Sequence, residues 1–139
     1  MEKIIRFGVS LPAELLKHFD RESGRRRYAN RSEAIRDLMR DWLVRRAWSD
    51  SRSEVVGTVT LVYDHHRREL VGELTEIQHG AHRMIISSQH IHLDDDNCLE
   101  VVIIRGRAGA VRQLGERLRS VRGVKVGELV MASTGAGLH

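Results

Sequence analysis

The sequence predicts an α+β protein in two parts, a strand followed by two helices and then a βαββαβ unit. Three observations support this class. Apolar and polar residues alternate near the start of the chain, apolar residues then recur at helical spacing, and from residue 54 onward β-branched runs alternate with helical stripes. We expect residues 1–50 and 51–133 to form two domains and residues 134–139 to form a disordered tail.

Composition limits the classes of function. The formal net charge is +4, and a dense run of arginines lies within the first 53 residues, which favours an anionic partner such as nucleic acid. A solvated basic face would produce the same charge pattern. The single cysteine excludes an intrachain disulfide, and no apolar run is long enough to span a bilayer, so we expect a soluble, cytoplasmic protein with no membrane partner.

Residues 5–11 alternate in polarity, which predicts a strand with one apolar and one polar face. The apolar set is Ile5, Phe7, Val9 and Leu11, and the polar set is Arg6, Gly8 and Ser10. Pro12 ends the strand and suits the first turn of a helix. A short helical stripe follows, made of Leu15, Leu16 and Phe19.

A second helix is predicted from Asn30, which resembles a capping residue because Glu33 follows three positions later. Its apolar positions are Ile35, Leu38, Met39, Trp42 and Leu43. One strand and two helices bury too little apolar surface to be stable alone. We therefore expect two chains to pair their strands into a ribbon and to interlock their helices.

A two-stranded ribbon fits the major groove of DNA, where Arg and Ser side chains can contact base edges. The segment Asn-Arg-Ser-Glu-Ala-Ile-Arg-Asp, from Asn30 to Asp37, follows a strand and a helix. This arrangement resembles the ribbon-helix-helix family of DNA-binding repressors over nearly all of residues 3–46. A small dimerisation module that binds no DNA is the alternative.

The ribbon-helix-helix resemblance implies two sets of DNA contacts. The base-facing residues would be Arg6, Gly8 and Ser10, and the phosphate-binding residues would be Asn30, Arg31 and Ser32. Free N–H groups and the dipole at a helix N-terminus favour an anion there. Beyond the second helix, residues 45–53 lose the apolar period and become rich in serine, which predicts a linker with a domain boundary near residue 50.

The second part has the order strand, helix, strand, strand, helix, strand. The predicted elements are a strand at Val55–Tyr63, a helix at Arg68–His82, strands at Met84–Leu93 and Cys98–Arg105, a break at Gly106–Gly109, a helix capped by Gly123, and a strand at Val124–Met131. This order is the ferredoxin-like arrangement, with both helices on one face of the sheet. The third strand is apolar on both faces, so we expect the face without helices to be an interface.

Potential metal ligands are concentrated between residues 79 and 98. His90 and His92 lie on one side of a strand, and alternation predicts that Met84 and Ile86 lie on that same side. A short turn can return Cys98 beside the two histidines. A helix turns by about 100° per residue, which places His79 nearly opposite the apolar stripe of its helix. His79 is therefore expected to point towards solvent or another chain. His82 is a spare candidate. Three imidazoles with one thiolate suit Zn²⁺ in a tetrahedral site, and Ni²⁺ or Cu²⁺ in a tetragonal one.

A ribbon-helix-helix head joined to a ferredoxin-like (ACT-type) domain with Gln-His, His-Ile-His and Cys-Leu-Glu motifs resembles the NikR family of nickel-responsive transcriptional regulators. The motifs are Gln78-His79, His90-Ile91-His92 and Cys98-Leu99-Glu100. The resemblance implies one square-planar Ni(II) per subunit, held by His90, His92 and Cys98 of one chain and His79 of another.

The same resemblance implies a homotetramer, a dimer of dimers, which binds a palindromic operator in double-stranded DNA and represses nickel uptake genes. It places Glu100, Tyr63 and Gln78 around the ligands as orienting partners. It also implies a further cation, such as potassium, near Glu33 and Asp37.

Other functions fit parts of the pattern. The same architecture could sense Zn, Cu or Co, the ACT-type domain could bind a ligand that is not a metal, and the second part could bind a toxin as antitoxins do. We see no nucleophile with a partnered base, so we expect no enzymatic activity.

Overall fold

The computed structural model describes residues 2–139, which form two helices followed by a βαββαβ unit. The elements are α1 (Ala13–Arg25), α2 (Arg31–Ser49), β1 (Glu54–Asp64), α3 (Arg68–Gly80), β2 (Ile85–His92), β3 (Asn97–Arg107), α4 (Ala108–Arg119) and β4 (Val126–Met131). The chain divides into two compact units between Arg40 and Asp41. Within the described part of the chain, no helix is long and apolar enough to cross a membrane.

The first unit contains α1 and the start of α2. Asn30 Oδ1 accepts the backbone N–H of Glu33 at 2.9 Å, which is the side-chain cap that the sequence predicts. In a capping box, the Glu side chain accepts the backbone N–H of the capping residue, here Asn30. Glu33 Oε2 instead accepts the backbone N–H of Ala29, at 3.4 Å. The start of α2 is therefore specified by local hydrogen bonds.

The first unit has almost no core of its own. Of its described residues only Ala34 is buried, whereas Phe7 and Val9 are more than 60% exposed. Residues 2–12 form neither helix nor strand. The strand predicted for residues 5–11 is not formed within one chain, because a ladder of backbone hydrogen bonds requires a second strand.

The second unit is built on a four-stranded antiparallel sheet with the strand order β2-β3-β1-β4. This order confirms the predicted ferredoxin-like arrangement. α3 buries Leu70, Leu74 and Ile77, and α4 buries Val111 and Leu118. These side chains pack with the buried residues of β1 and β3 in one core cluster.

β3 is apolar on both faces, as the sequence predicts. Cys98, Glu100, Val102 and Ile104 are buried on the side that faces the helices. The alternate residues, Leu99, Val101 and Ile103, are only half-buried. The second face of the sheet therefore carries apolar side chains that this chain leaves partly exposed.

The segment predicted as a linker is largely structured. α2 continues to Ser49, and the Trp48 side chain is buried, with Nε1 donating to the carbonyl oxygen of Ala132 at 2.8 Å. Arg112 Nη2 donates to the carbonyl oxygen of Trp48 at 2.7 Å. The expectation of a linker over residues 45–53 is wrong for residues 45–49, which belong to α2. The apolar period of the helix ends there, and the single buried side chain of Trp48 anchors it instead.

The glycine break expected at Gly106–Gly109 is not a loop. β3 runs to Arg107, and α4 begins at the next residue. The first N–H groups of α4, from Ala108 and Gly109, are accepted by the carbonyl oxygens of Ser53 and Ser51 at 2.8 and 3.1 Å. Residues 51–53 therefore satisfy the free donors at the start of this helix.

Gly123 lies in the turn after α4, and its φ of +100° favours glycine. A Cβ at this position would lie 2.7 Å from Leu70 Cδ1 and would also contact Arg67. We expect Gly123→Ala to lower the free energy of unfolding by about 1–3 kcal/mol. Urea unfolding followed by circular dichroism measures this loss.

The matched control is Gly72→Ala. Gly72 lies within α3, and a Cβ there would meet nothing within 4 Å. Alanine in a helix interior should stabilise by roughly 0.5–1 kcal/mol relative to glycine. Equal effects of the two substitutions would contradict the conformational argument.

Candidate metal centre

An acidic turn returns the chain from β2 to β3. Asp94 Oδ1 accepts the backbone N–H groups of Asp96 and Asn97 at 2.9 and 2.7 Å. Hydrogen bonds from Asn97 and Asp96 lower the pKa of Asp94 to about 2, so the carboxylate is an ionised acceptor at neutral pH. The turn places Cys98 directly opposite His92 in the register of the two strands.

His90 and His92 lie on the side of β2 that corresponds to Cys98 on β3. His90 Nε2 is 3.1 Å from Cys98 Sγ, and the ring centroids of His90 and His92 are 6.4 Å apart. The hairpin thus brings one imidazole into contact with the thiol and places the second imidazole on the same side.

The chemistry of these donors fits a borderline divalent metal. Two ligands of one ion, with bonds of about 2.0 Å to nitrogen and 2.3 Å to sulfur, lie roughly 3 Å apart when they meet at a right angle. The distance of 3.1 Å from His90 Nε2 to Cys98 Sγ agrees with that separation. This one pair of donors is therefore spaced as two ligands of a single ion would be.

Cys98 is fully buried, and burial is the main cause that raises the pKa of its thiol. The charge of Glu100 raises it further, while a hydrogen bond from the Tyr63 side chain, which is distinct from the backbone contact described next, lowers it. The thiol donates to the carbonyl oxygen of Tyr63 at 3.6 Å. Because metals bind the thiolate, a cation here would have to displace this proton.

His79 is separate from the other three predicted ligands. It is exposed on α3, away from the buried stripe of Leu70, Leu74 and Ile77, as its helical phase predicts. With Gln78, His82 and Ile85 it lines an open groove of about 370 Å³. Within residues 2–139, no three or more His, Cys, Asp or Glu side chains of this one chain are arranged so that together they could hold a metal ion.

Glu100 is a buried carboxylate with three hydrogen-bond donors. Gln78 Nε2 and Ser88 Oγ each donate to Oε1 at 2.8 Å, and Tyr63 Oη donates to Oε2 at 2.6 Å. Tyr63 Oη also lies 3.0 Å from His90 Nε2. Burial, followed by the hydrogen bond with Glu100, raises the pKa of Tyr63, so its hydroxyl stays protonated.

Two residues of this region were missed by the sequence reasoning. Ser88 precedes His90 by two positions on a strand, and that spacing alone places it on the same side. His65 packs edge-on against His92, with ring centroids 4.7 Å apart, and its Nδ1 is buried without a hydrogen-bond partner in the described chain. No sequence spacing indicates the contact between His65 and His92. His65 follows β1, and β3 lies between β1 and β2 in the sheet.

One expectation about β2 is wrong. Met84 and Ile86 do not share the histidine side of the strand, because the register shifts between Ile85 and Ser87. Such a bulge moves the alternation by one residue. Ile85 therefore lies on the histidine side, Ile86 is 58% exposed, and Met84 precedes the strand.

The predicted DNA-contacting residues lie in the first unit. Arg6, Gly8 and Ser10 are exposed. Arg31 forms a two-point ion pair with Asp20, in which Nε and Nη2 each donate at 2.8 Å. This pair lowers the pKa of Asp20. Asn30 Oδ1 and Arg31 thus both have partners within the unit, while the Ser32 residue is exposed.

The residues of the predicted second cation site also have partners in the first unit. Asp37 accepts a hydrogen bond from Tyr28 Oη and lies 3.7 Å from Arg40 Nη1. Glu33 Oε2 faces the backbone nitrogen of Ala29. A cation near these two carboxylates would compete with these contacts.

Family comparisons match both parts of the chain. The NikR C-terminal nickel-binding domain matches residues 56–132, and the ribbon-helix-helix proteins of the copG family match residues 5–46. An uncharacterized protein from Thermotoga maritima has a similar fold, with a TM-score of 0.51 and 14% identity over 56% of this chain and 96% of that protein.

Relatives along the full length carry the name nickel-responsive regulator. One from Thermococcus onnurineus is 54% identical over 98% of this chain and 99% of its own length. Another, from Solibacter usitatus, is 53% identical over 98% of both chains.

A ribbon-helix-helix unit followed by a ferredoxin-like unit with clustered histidine and cysteine defines a regulator and not an enzyme. The chain belongs to the NikR family of nickel-responsive regulators.

Proposed function

We propose that this chain is a nickel-dependent, DNA-binding transcriptional regulator. One Ni(II) per subunit would be held by His90, His92 and Cys98 of one chain and by His79 of another chain. The observation that carries this proposal is the contact of 3.1 Å between His90 Nε2 and Cys98 Sγ on a hairpin that also presents His92. The ion would supply charge that stabilises the Cys98 thiolate in its buried setting.

The position of His79 supports a site that is shared between chains. It lies on the exposed side of α3 and lines an open groove, so it is accessible to a neighbouring subunit. Three donors from one chain leave the ligand set short of the four that a closed structural metal site requires. A shared ion would therefore connect two subunits.

The open face of the sheet supports assembly of the second unit into a core of four copies. Leu99, Val101 and Ile103 are half-buried there, and Ile91, their neighbour on β2, is 44% exposed. Contiguous apolar surface of this kind is typical of an interface. With paired heads, the whole would be a homotetramer, a dimer of dimers.

The first unit supports pairing of two chains. Its described residues bury only Ala34, and its strand-forming segment has no partner, so a second copy would supply both a core and a ladder. The polar side of the paired ribbon would present Arg6, Gly8 and Ser10 to DNA bases. The start of α2, at Asn30, Arg31 and Ser32, would contact phosphate. We also propose that residues 1–50 and 51–133 act as the two functional domains, with residues 134–139 as a tail. The compact units divide earlier, between Arg40 and Asp41, because Trp48 belongs to the core of the second unit.

A second cation, such as potassium, is proposed near Glu33 and Asp37. Both carboxylates lie close to the start of α2, where the side chain of Asp37 already meets Tyr28. A hard cation prefers carboxylate and carbonyl oxygen ligands of this kind. Its binding would order the start of the helix that we propose to contact DNA.

Nickel would act by selection between arrangements of the tetramer. The ion must bind one arrangement more tightly than the other, since otherwise it would shift no equilibrium. The favoured arrangement would space the two paired heads to match an operator with two half-sites. The proposed outcome is repression of nickel uptake genes.

A titration with a labelled palindromic DNA of two half-sites tests the function. We expect Ni²⁺ to raise the DNA affinity of the wild-type chain on the order of 5- to 150-fold, the usual range of allosteric coupling. Equal stimulation by Zn²⁺, Cu²⁺ or Co²⁺ would instead favour a sensor of another metal. DNA affinity that no metal changes would overturn the proposal.

Arg6→Ala tests the role of the ribbon in the same assay. Loss of one base-reading arginine should weaken binding to the operator roughly 5- to 150-fold, with or without nickel. Arg25→Ala is the control, because Arg25 carries the same charge but lies at the end of α1, paired with Glu22. Equal losses in the two variants would indicate a general charge effect and not base contact.

A further inference from the structure

The hydroxyl of Ser88 contacts a buried carboxylate close to the proposed metal ligands. Ser88 lies on β2 opposite Val102, on the same side of the strand as His90. Its Oγ donates to Glu100 Oε1 at 2.8 Å. Glu100 is only 5% exposed, so this hydrogen bond forms at a buried carboxylate.

The Glu100 carboxylate joins the elements that carry the proposed ligands. Oε1 accepts from Gln78, which directly precedes His79 on α3, and from Ser88 on β2. Oε2 accepts from Tyr63, whose hydroxyl oxygen also contacts His90. The carboxylate therefore links the C-terminal end of α3 to the hairpin.

We propose that Ser88 is a positioning residue that holds the end of α3, and with it His79, at a fixed distance from β2. Ser88 and Gln78 both donate to Oε1 of Glu100. Each hydrogen bond therefore restricts the position of the carboxylate that the other donor contacts. Without the serine, the carboxylate keeps Gln78 but loses its attachment to β2 at Oε1. The carboxylate side chain then gains rotational freedom, so Gln78 and the end of α3 are less well fixed relative to the histidine strand.

This inference rests on the proposed nickel site and adds a connection between subunits. If His79 completes a site on a neighbouring chain, the Glu100 carboxylate connects that site to the site formed by the chain's own hairpin. Groups around metal ligands act by orienting them, and their loss typically lowers metal affinity about 10- to 100-fold.

The test compares nickel affinity in three variants by competition with a chelator. Ser88→Ala should weaken nickel binding about 10- to 100-fold, and Ser88→Thr should restore it because threonine keeps the hydroxyl and suits a strand. Ser87→Ala is the control, since Ser87 is the preceding residue, pairs with Ile103 of β3, and lies on the other side of β2. We expect it to leave nickel affinity unchanged.

Two further readouts separate positioning from a general loss of stability. A merely structural role would lower the melting temperature of the metal-free protein but leave nickel affinity unchanged. In a His79→Ala background, Ser88→Ala should cost nickel affinity less than about 2-fold, because the two residues act through the same helix end.

The outcomes are distinct. A wild-type chain that binds no nickel would overturn the proposed function. Nickel binding by the wild type with equal affinities for Ser88→Ala and Ser87→Ala would overturn only the role of Ser88. A full loss from Ser88→Ala in the His79→Ala background would also overturn it, because the serine would then not act through α3.

Discussion

Replacement of Cys98 by alanine is expected to lower nickel affinity at least 100-fold and to remove the effect of nickel on DNA binding. The thiol is the only thiolate ligand in the sequence, and it lies 3.1 Å from His90 Nε2. Without it the hairpin offers two imidazoles, which bind borderline metals more weakly than a set with thiolate. Metal content and operator affinity should be measured on the same preparation.

The loss must come from the ligand and not from unfolding. Cys98 is fully buried, so its removal leaves a small cavity and should cost about 1 kcal/mol of stability. The metal-free variant should therefore melt as a folded protein, within several degrees of the metal-free wild type. Nickel binding that survives in a folded Cys98→Ala protein would contradict the proposed ligand set.

Mixed assemblies extend this experiment to the shared site. His79→Ala chains keep His90, His92 and Cys98, and Cys98→Ala chains keep His79. When the two variants are unfolded together and reassembled, a shared site would restore tight nickel binding in mixed assemblies. A site contained in one chain would give no complete ligand set in any mixture, and binding would stay weak.

Replacement of Trp48 by alanine is expected to lower the free energy of unfolding of the second unit by about 3–5 kcal/mol. The indole is buried, donates to the carbonyl oxygen of Ala132, and lies so close to Gly57 that a Cβ there would be 2.9 Å from Cη2. Truncation removes this packing and leaves the Ala132 carbonyl without its donor. Denaturant unfolding of the metal-free protein measures the effect.

Trp42→Ala is the matched control, because Trp42 is the other tryptophan of the chain and is 66% exposed. The same truncation there removes far less buried surface within one chain, so we expect a smaller loss. Each variant leaves a single tryptophan, whose fluorescence reports one position. A loss below about 1 kcal/mol for Trp48→Ala would contradict its role as an anchor.

Local patterns predicted much of the second unit. The strand and helix order follows from runs of β-branched residues and from the stripe of Leu70, Leu74 and Ile77, all of which are buried. The phase of that stripe also predicts that His79 is exposed. These predictions succeeded because side-chain direction within a regular helix or an unbulged strand depends on spacing alone.

Other features depend on contacts between residues far apart in the chain. The anchoring of Trp48 requires Ala132 and Arg112, which only the completed sheet and α4 bring near it. Sequence spacing predicts a polar linker there, because a single apolar residue has no period. The bulge in β2 likewise depends on how β2 pairs with β3, so the alternation of the sequence assigned Ile86 to the wrong face.

By itself, the sequence determined the order of elements, the two apolar faces of β3, and a hairpin that can carry His90, His92 and Cys98 on one side. Residue type and spacing are sufficient for these features. Only the tertiary structure decided that Glu100 is buried, that its carboxylate accepts three side-chain hydrogen bonds, and that one of the donors is Ser88. A buried carboxylate must be satisfied by whichever donors the packed elements bring to it, and packing is not encoded in any single stretch of chain.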